Sequence, residues 1–352
     1  MDLFPVMAGK AYESVHFFHD AETGLKALVS LHDTTLGAGL GGTRALSTYE
    51  TEADAVDDVL RLARGMTYKA ALAGLPHGGG KAVIMLPKGP FDRAALFTAF
   101  GRAVESLGGR YITTEDSGTS PEDMDHVRKG TKSVVGIARS KGGSGDPSPF
   151  TAYGCLRGIQ AVAQFSMGRS DLQGLSVAIM GVGHVGYHLA RLLKEQGANL
   201  WIADVNETAL RRAQDELGAK VVSPQELVGL EVDVYAPCAL GGAINDQTLA
   251  QLRCKAVAGA ANNQLREERH GSLLAKRGIV YAPDYAINAG GLINVAQEVV
   301  GYDENQSREK CSKIYDTILM ILERAKAEGT TPDVVADRIV DERIAAAKKA
   351  GA

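Results

Sequence analysis

Two lysines, Lys69 and Lys81, lie between apolar stretches of the sequence and can do chemistry there. Burying an ammonium group is costly unless the group is paired or gives up its proton. A lysine in such a position can bind a carboxylate or, once neutral, act as a base. The alternative is that both side chains run along apolar surface and leave their charges in solvent. Gly78, Gly79 and Gly80 favour the chemical interpretation, because bare backbone lets a ligand or another segment come close.

The glycines before Lys81 could also indicate a phosphate-binding loop, but their spacing excludes a Walker A motif. That motif requires G-x-x-x-x-G-K-[ST], in which the last hydroxyl binds magnesium. When the motif is aligned on Gly80 and Lys81, Leu75 replaces the first glycine and Ala82 replaces the Ser or Thr. We therefore interpret the glycines as clearance that lets a substrate approach a lysine at the start of a strand.

Three further polar residues are candidates for the same site. Asp116 follows the predicted strand "GRYI", at the carboxyl end where open α/β sheets place their sites. Asn262 lies in "AGAANNQL" and could position a nicotinamide amide or a substrate amine, and Asn288 precedes a predicted helix. The alternatives are a turn or helix-cap aspartate and ordinary loop asparagines.

A dinucleotide site is the strongest motif in the chain. Residues 175–206 read as strand, glycine turn, helix and strand, with Gly181, Gly183 and Gly186 in G-x-G-x-x-G spacing. The first glycine allows the tight turn, the second lets backbone approach a pyrophosphate, and the third packs the helix against the strand. The pyrophosphate then lies at the helix N-terminus, where amide N–H groups point at it. The intervening loop residues belong to the predicted cofactor site as well: Val182, His184 and Val185.

The acid that ends the second strand of this motif predicts which cofactor binds. Asp204 stands where a carboxylate would hydrogen-bond the adenosine ribose. It would repel a 2′-phosphate, and no arginine follows it until Arg211, so the sequence favours NAD over NADP. The alternative is a strand-end aspartate that only faces solvent.

Composition limits the other function classes. The chain has 352 residues, 45% hydrophobic and 23% charged, with a formal net charge of −4. This balance argues against nucleic acid or an anionic membrane as a partner, and no apolar run approaches the ~20 residues of a membrane span. The four cysteines are far apart, without a C-x-x-C pair, so we expect reduced thiols, no metal site and a cytoplasmic protein.

The pattern of elements predicts an α/β protein with two domains. In residues 1–135, apolar stretches alternate with amphipathic helical patterns, and residues 141–149 are rich in Gly, Ser and Pro. Beyond them, strands alternate with helices as in parallel βαβ units, which predicts a doubly wound Rossmann-type sheet over about 146–327. The predicted elements there are a helix over 152–167, a strand over 175–180, a helix over 185–196 and a strand over 199–204.

Taken in order, these segments resemble the amino-acid dehydrogenase family of glutamate, leucine, valine and phenylalanine dehydrogenases, and most closely its leucine/valine branch. The likeness covers nearly the whole chain. It is carried by "HDTTLGAGLGGTR", "LARGMTYKAALAGLPHGGGKAVI", "GRYITTEDSGT", "VAGAANNQL" and "APDYAINAGGLINVAQE". The resemblance implies an N-terminal α/β substrate and oligomerisation domain, a Rossmann NAD domain and a cleft between them. It also implies a homo-oligomer, a dimer or an octamer, with helices of about 328–352 packed back on the first domain.

The same resemblance implies roles for individual residues. Lys69 would bind the substrate α-carboxylate, Lys81 would be the catalytic base, and Asp116 would be its partner in proton transfer. The implied reaction is reversible oxidative deamination, in which NAD⁺ takes a hydride, water adds, and a 2-oxo acid and ammonia are released. The other residues implied are, for substrate, Leu40, Gly41, Met66, Thr113, Asn262, Asn288, Leu292 and Val295, and, for cofactor, Thr151, Ala239, Asn262, Asp204 and the loop from Gly181 to Gly186.

The implied side-chain pocket is apolar, which disfavours glutamate, because a charged side chain would be poorly solvated there. Thr113 and Leu292 depart from the leucine-enzyme pattern, and Leu292 matches the phenylalanine branch. We expect L-leucine to be favoured, with valine and isoleucine accepted and phenylalanine as the alternative. Two other classes stay open: a catalytically silent NAD-binding regulatory protein, and a 2-hydroxy-acid dehydrogenase that uses His77.

Overall fold

The computed structural model describes residues 2–169 and 171–351. The chain divides into two compact units. The first unit comprises residues 1–146, 292–304 and 340–352, and the second comprises residues 147–291 and 305–339. The segment 292–304 therefore belongs to the first unit, although it lies inside the range predicted for the cofactor domain. The assignment of substrate to one range and NAD to the other stays a prediction.

The first unit is built on a mixed sheet of five strands in the order β1-β2-β4-β3-β5. Strands β1, β2 and β4 pair antiparallel, whereas β3 pairs parallel with both β4 and β5. The parallel arrangement brings the carboxyl ends of β3, β4 and β5 to one edge of the sheet. The strands are β1 Ser14–Asp20, β2 Leu25–Asp33, β3 Gly39–Leu46, β4 Gly78–Met85 and β5 Tyr111–Glu115.

Helix α2 is the element that packs most closely on this sheet. Its start is set by a capping box, in which Thr51 accepts from the Asp54 amide and the Asp54 carboxylate accepts from the Thr51 amide. Apolar residues at helical spacing, among them Val56, Val59 and Ala63, form its buried face. The helices of this part of the chain are α1 Leu3–Gly9, α2 Glu52–Leu72, α3 Arg93–Glu105 and α4 Pro121–Arg128.

The glycines of β4 accommodate protein rather than substrate. A Cβ atom on Gly79 would lie 2.1 Å from Thr67 Oγ1 and 2.2 Å from its amide nitrogen, on α2. On Gly80 it would lie 2.6 Å from the ring of Tyr111, and on Gly78 it would lie 2.2 Å from the Asp33 carbonyl oxygen. Our interpretation of these glycines as clearance for a substrate is therefore wrong, because neighbouring strands and α2 already fill the space.

The same contacts predict opposite effects for two glycine-to-alanine substitutions. Gly79→Ala forces α2 away from β4, and we expect it to lower the free energy of unfolding by about 1–3 kcal/mol. Gly65 lies on the exposed side of α2, and apart from the nearby backbone of α2 no described atom lies within 4 Å of the added methyl group, so Gly65→Ala should raise this free energy by roughly 0.5–1 kcal/mol. Thermal unfolding of the two variants beside the natural protein checks both signs. Equal effects of the two substitutions would contradict this account.

The second unit contains a parallel sheet of six strands in the order β11-β10-β9-β6-β7-β8. The strand order reverses at β6, which is the topological switch point of a doubly wound sheet, and ligands of such sheets bind there. The predicted α/β class with a Rossmann-type sheet is confirmed. The strands are β6 Ser176–Met180, β7 Asn199–Ala203, β8 Lys220–Val221, β9 Val234–Pro237, β10 Ala256–Val257 and β11 Val280–Tyr281.

Helices of the remaining chain connect these strands and form the C-terminal region. The predicted helix over 185–196 is α6, and the helix predicted over 152–167 begins four residues earlier, at Ser148. Within the described residues, no helix combines the length and the apolar character that crossing a membrane requires. The helices are α5 Ser148–Met167, α6 His184–Glu195, α7 Glu207–Leu217, α8 Pro224–Gly229, α9 Asp246–Gln251, α10 Arg269–Lys276, α11 Asp284–Ile287, α12 Gly290–Ala296, α13 Glu304–Ser312, α14 Ile314–Glu328 and α15 Pro332–Gly351.

Candidate active site

An ion pair between Lys81 and Asp116 is the centre of the site in the first unit. The Lys81 ammonium donates to Asp116 Oδ2 at 2.5 Å, and only 5% of Lys81 is exposed. We expected Lys81 at the start of its strand. It is instead the fourth residue of β4, opposite Ser30 of β2. This central position explains why the lysine is so deeply buried, and the aspartate compensates for its charge.

Asp116 is held at the end of β5 by its neighbours in the sheet. Its amide donates to Thr119 Oγ1 at 2.8 Å, and that hydroxyl donates to the Thr43 carbonyl oxygen at 3.1 Å. Gly42 leaves room for the aspartate, because a Cβ atom there would lie 2.7 Å from Asp116 Cβ. The carboxylate therefore has a defined position relative to β3 as well as to β4.

Arg44 is a second cation beside Asp116, and the sequence analysis did not identify it. Its Nε lies 3.5 Å from Asp116 Oδ2, and its Nη1 donates to Asp58 Oδ2 at 2.9 Å. Tyr49 donates to the same Asp58 oxygen at 2.7 Å. Arg44 lies within the motif "GGTR", but nothing in the local sequence indicates that its side chain reaches an aspartate 72 positions later.

The two cations decide the charge of Asp116. Burial acts to raise the pKa of Asp116, but the Lys81 ammonium and the Arg44 guanidinium outweigh it and hold that pKa at about 2. Glu115, the preceding residue, behaves in the opposite way. Burial, together with the carboxylates of Asp146, Asp116 and Glu298, raises the pKa of Glu115 to about 7. The resting site therefore contains one ionised carboxylate beside one whose pKa lies near neutral pH.

The residues proposed for the side-chain pocket are all buried. Leu40 and Thr113 are fully enclosed, and Leu292 and Val295 are 6% and 3% exposed. The Thr113 hydroxyl is hydrogen-bonded to the Thr43 hydroxyl at 2.5 Å. The Thr113 hydroxyl therefore has a hydrogen-bond partner within the sheet. A threonine can be buried in an apolar pocket here without the free-energy cost of an unpaired hydroxyl.

Lys69, Met66 and Gly41 connect α2 with the sheet. Lys69 is half-buried in the last turn of α2, one turn beyond Met66. A Cβ atom on Gly41 would lie 3.1 Å from Met66 Cγ and 1.8 Å from the Gly80 carbonyl oxygen. Gly41 is thus required by the close packing of β3, β4 and α2. The role of Lys69 as a carboxylate ligand stays a prediction.

The glycine loop of the second unit has the geometry that a pyrophosphate site needs. Gly181 has φ +100° and faces Ala239, which a Cβ atom would approach to 2.8 Å. A Cβ atom on Gly186 would lie 1.9 Å from the Gly181 carbonyl oxygen, so α6 packs against the turn. At Gly183, by contrast, no other described residue beyond its chain neighbours lies within 4 Å of a Cβ position, and no described side chain caps the helix that follows. This open space at a helix N-terminus fits a bound diphosphate.

Asp204 lies directly after β7 and faces the same loop. Its Oδ2 accepts from the Val182 amide at 2.7 Å, and its Oδ1 accepts from the Asn206 amide at 2.9 Å. A cavity of about 480 Å³ adjoins it, lined by Gly181, Asp204, Val205, Ala239 and Leu240 among others. Val205 and Leu240 are exposed apolar side chains at this cavity, so a flat apolar ligand surface would find partners there.

The predicted asparagines lie together in the second unit. Asn288 donates through Nδ2 to Asn262 Oδ1 at 2.8 Å and to the Ala260 carbonyl oxygen at 3.1 Å. Asn288 is buried, whereas Asn262 is exposed. Thr151 lies in the first turn of α5, where its Oγ1 would be 2.6 Å from a Cβ atom on Gly291. His184 and Val185 begin α6 beside the glycine loop.

A group of metal-ligand side chains in the second unit is already ion-paired with an arginine. Asp246, Glu267 and His270 bring their ligand atoms within 4.8 Å of one another. Both carboxylates, however, are ion-paired with the Arg269 guanidinium, at 2.6 Å and 2.8 Å. We therefore interpret the cluster as an ion-pair network at the start of α10 rather than as a metal site.

Family models and relatives match this architecture along most of the chain. Residues 12–133 match the model described as Glu/Leu/Phe/Val dehydrogenase, dimerisation domain, and residues 200–350 match Glutamate/Leucine/Phenylalanine/Valine dehydrogenase. The chain is 51% identical to the leucine dehydrogenase of Geobacillus stearothermophilus, over 99% of this chain and 95% of the relative. It is 46% identical to the phenylalanine dehydrogenase of Bacillus thermotolerans, over 96% and 90% of the two chains.

A solved structure agrees with the fold. The crystal structure of L-tryptophan dehydrogenase from Nostoc punctiforme superposes with a TM-score of 0.86 at 43% identity, covering 99% of this chain and 100% of that one. The resemblance stated from the motifs is therefore confirmed across both units. A buried lysine–aspartate pair, a Rossmann glycine loop and full-length matches together show that the chain is an enzyme of the glutamate/leucine/phenylalanine/valine dehydrogenase family, which uses a nicotinamide cofactor.

Proposed function

We propose that this enzyme catalyses the NAD-dependent, reversible oxidative deamination of a branched-chain L-amino acid, with L-leucine preferred over valine and isoleucine. The observation that carries the proposal is the buried pair of Lys81 and Asp116, with Nζ and Oδ2 2.5 Å apart. A lysine so placed is shielded from water and can exchange a proton with a bound substrate or with the aspartate. The similarity to leucine dehydrogenases at about half of all positions supports leucine as the substrate.

In the proposed reaction, Lys69 binds the α-carboxylate and Lys81 handles the protons. A bound nicotinamide would supply the hydride acceptor for Cα, and the oxidised substrate, with its amine neutral beforehand, would carry an iminium carbon. Neutral Lys81 accepts a proton from the water that adds to this carbon, and a carbinolamine forms. The Lys81–Asp116 pair then returns that proton to the amine nitrogen. As the C–N bond breaks and ammonia leaves, neutral Lys81 accepts the hydroxyl proton, and the C=O double bond of the 2-oxo acid forms.

The cofactor would be held by residues of the second unit. Gly183 and His184 at the start of α6 would bind the diphosphate through their amides, and Asp204 adjoins the cavity beside β7. Asn262 is exposed next to Asn288 and would contact the nicotinamide end or the substrate. The match to a dimerisation domain supports a homo-oligomer, and we propose a dimer or an octamer of this chain.

A substrate panel tests the proposal. Purified protein is incubated with NAD⁺ and L-leucine, L-valine, L-isoleucine, L-phenylalanine or L-glutamate, and formation of the reduced cofactor is followed by its absorbance. We expect the highest kcat/KM for leucine and lower, measurable values for valine and isoleucine, because one methylene is worth only ~1–3 kcal/mol in an apolar pocket. Activity restricted to L-phenylalanine would contradict the proposed preference for leucine. No activity with any of the amino acids would contradict the proposed reaction.

The preference for NAD over NADP is expected to depend on Asp204. Asp204→Ala should raise the KM for NAD⁺ by roughly 10-fold, the effect of losing one charge-assisted hydrogen bond, and should improve turnover with NADP⁺ because the repulsion of a 2′-phosphate is removed. Steady-state kinetics with both cofactors measures the change. Asp215→Ala, at an exposed position of α7, is the matched control and should alter neither KM. An unchanged cofactor ratio in Asp204→Ala would refute this role.

A further inference from the structure

We infer that Arg44 is a positioning residue for the Lys81–Asp116 pair, whose guanidinium keeps the Asp116 carboxylate ionised and in place when Lys81 gives up its proton. This inference rests on the proposed function, in which Lys81 acts as a base. It assigns a role in the reaction to a residue that acts through Asp116 rather than on the substrate or the cofactor.

The geometry shows one carboxylate oxygen shared by two cations. Asp116 Oδ2 lies 2.5 Å from Lys81 Nζ and 3.5 Å from Arg44 Nε. The Nε atom is buried and has no hydrogen-bond partner among the described residues, so Asp116 is the charge that it faces. The far end of the guanidinium is fixed, because Nη1 donates to Asp58 Oδ2, and Tyr49 donates to that same oxygen. Charges therefore alternate from Lys81 through Asp116 and Arg44 to Asp58.

This alternation matters when the lysine becomes neutral. Without a second cation, loss of the Lys81 proton would leave a largely buried Asp116 anion uncompensated, and the lysine would hold its proton more tightly. A guanidinium stays charged throughout the pH range of enzymes. Arg44 therefore stabilises the state in which Lys81 is free to accept a proton, whereas Lys81 and Arg44 together stabilise the resting ion pair.

Other ionisable groups lie on the elements that neighbour this pair. Glu115 titrates in the relevant range, because its pKa is raised to about 7 by burial and by the nearby carboxylates. The titration of Glu115 must be separated from the effect of Arg44. For this purpose the pH profiles with and without the Arg44 substitution are also measured in a Glu115→Gln background. The remaining groups are Tyr111 of β5, Tyr49 before α2, Asp58, Arg61 and Lys69 of α2, and Asp146 and Glu298, which act on Glu115.

The test is the pH profile of kcat/KM for oxidation of the amino acid. In Arg44→Gln, we expect the acidic limb to move up by about one pH unit, because removing a nearby cation makes the pair hold its proton more tightly. Activity should fall about 10-fold at neutral pH and recover at higher pH. Arg44→Lys retains the positive charge, so its acidic limb should lie close to that of the natural enzyme. A merely structural role would instead lower activity equally at every pH.

Arg61→Gln is the matched control. Arg61 contacts the other oxygen of Asp58 at 3.2 Å, its side chain is 62% exposed, and its loss should leave the limb in place. Asp58→Asn removes an anion and should move the limb to lower pH, which provides a second test if Arg44→Gln does not fold. An unmoved limb in folded Arg44→Gln, or no shift in Asp58→Asn, would overturn the inference alone. Normal turnover in Lys81→Ala would overturn the proposed function, and the inference with it.

Discussion

Lys81→Ala is expected to lower kcat by roughly 10²- to 10⁴-fold, the range that a positioned general base contributes. The lysine is buried in the centre of β4 and hydrogen-bonded to Asp116, so solvent water has little access to replace it. Substrate affinity should change far less, because carboxylate binding is assigned to Lys69. Steady-state and single-turnover kinetics with L-leucine and NAD⁺ measure the loss directly.

Two comparisons show whether that loss is chemical. Lys88→Ala removes an exposed lysine beyond the end of β4 and should leave kcat unchanged. Asp116→Asn keeps the size of the aspartate but removes its charge, and it should also lower kcat, with a changed pH profile. Near-native turnover in a folded Lys81→Ala enzyme would mean that Lys81 is not the base. Loss of thermal stability matching the loss of activity would point to folding instead.

Lys69→Ala is expected to raise the KM for the amino acid by about 10- to 100-fold, with a smaller effect on kcat. A charge-assisted hydrogen bond to a carboxylate contributes roughly 1.5–3 kcal/mol, and alanine removes all of it. Because the interaction exists in the ground state and in the transition state, its loss mainly weakens binding. Kinetics in both directions measure the change, since the 2-oxo acid carries the same carboxylate.

The reductive direction contains its own control for Lys69. Ammonia has no carboxylate, so its KM should be unaffected in Lys69→Ala, whereas the KM of the 2-oxo acid should rise. Lys69→Arg keeps the charge and should recover part of the affinity. A large decrease in kcat with both KM values unchanged would show that Lys69 acts in the chemistry rather than in carboxylate binding.

The pH range in which the enzyme operates connects these predictions. Asp116 stays ionised because its pKa is held at about 2, so the aspartate does not account for an acidic limb near neutral pH. Glu115 titrates near pH 7 and lies next to it in the chain. The Glu115→Gln background therefore distinguishes a limb that belongs to Glu115 from one that belongs to the Lys81–Asp116 pair.

Features that depend on local rules could be predicted from the residues alone. The strand, glycine loop and helix from Ser176 to Glu195 follow from spacing, because the first and third glycines are required by a turn and a close contact within a few residues. The placement of Asp116 and Asp204 after strands follows from the same local pattern. The family resemblance rested on long motifs, and it was confirmed along nearly the whole chain.

Contacts between distant residues became known from the folded structure. The Arg44–Asp116 contact joins β3 to the end of β5, and the Thr43–Thr113 hydrogen bond spans 70 positions. The folded structure also reassigned the glycines before Lys81, whose missing side chains make room for α2, Tyr111 and the chain near Asp33. Sequence patterns state which local element a segment forms. Long-range contacts depend on the strand order β4-β3-β5, and no local pattern of residues records that order.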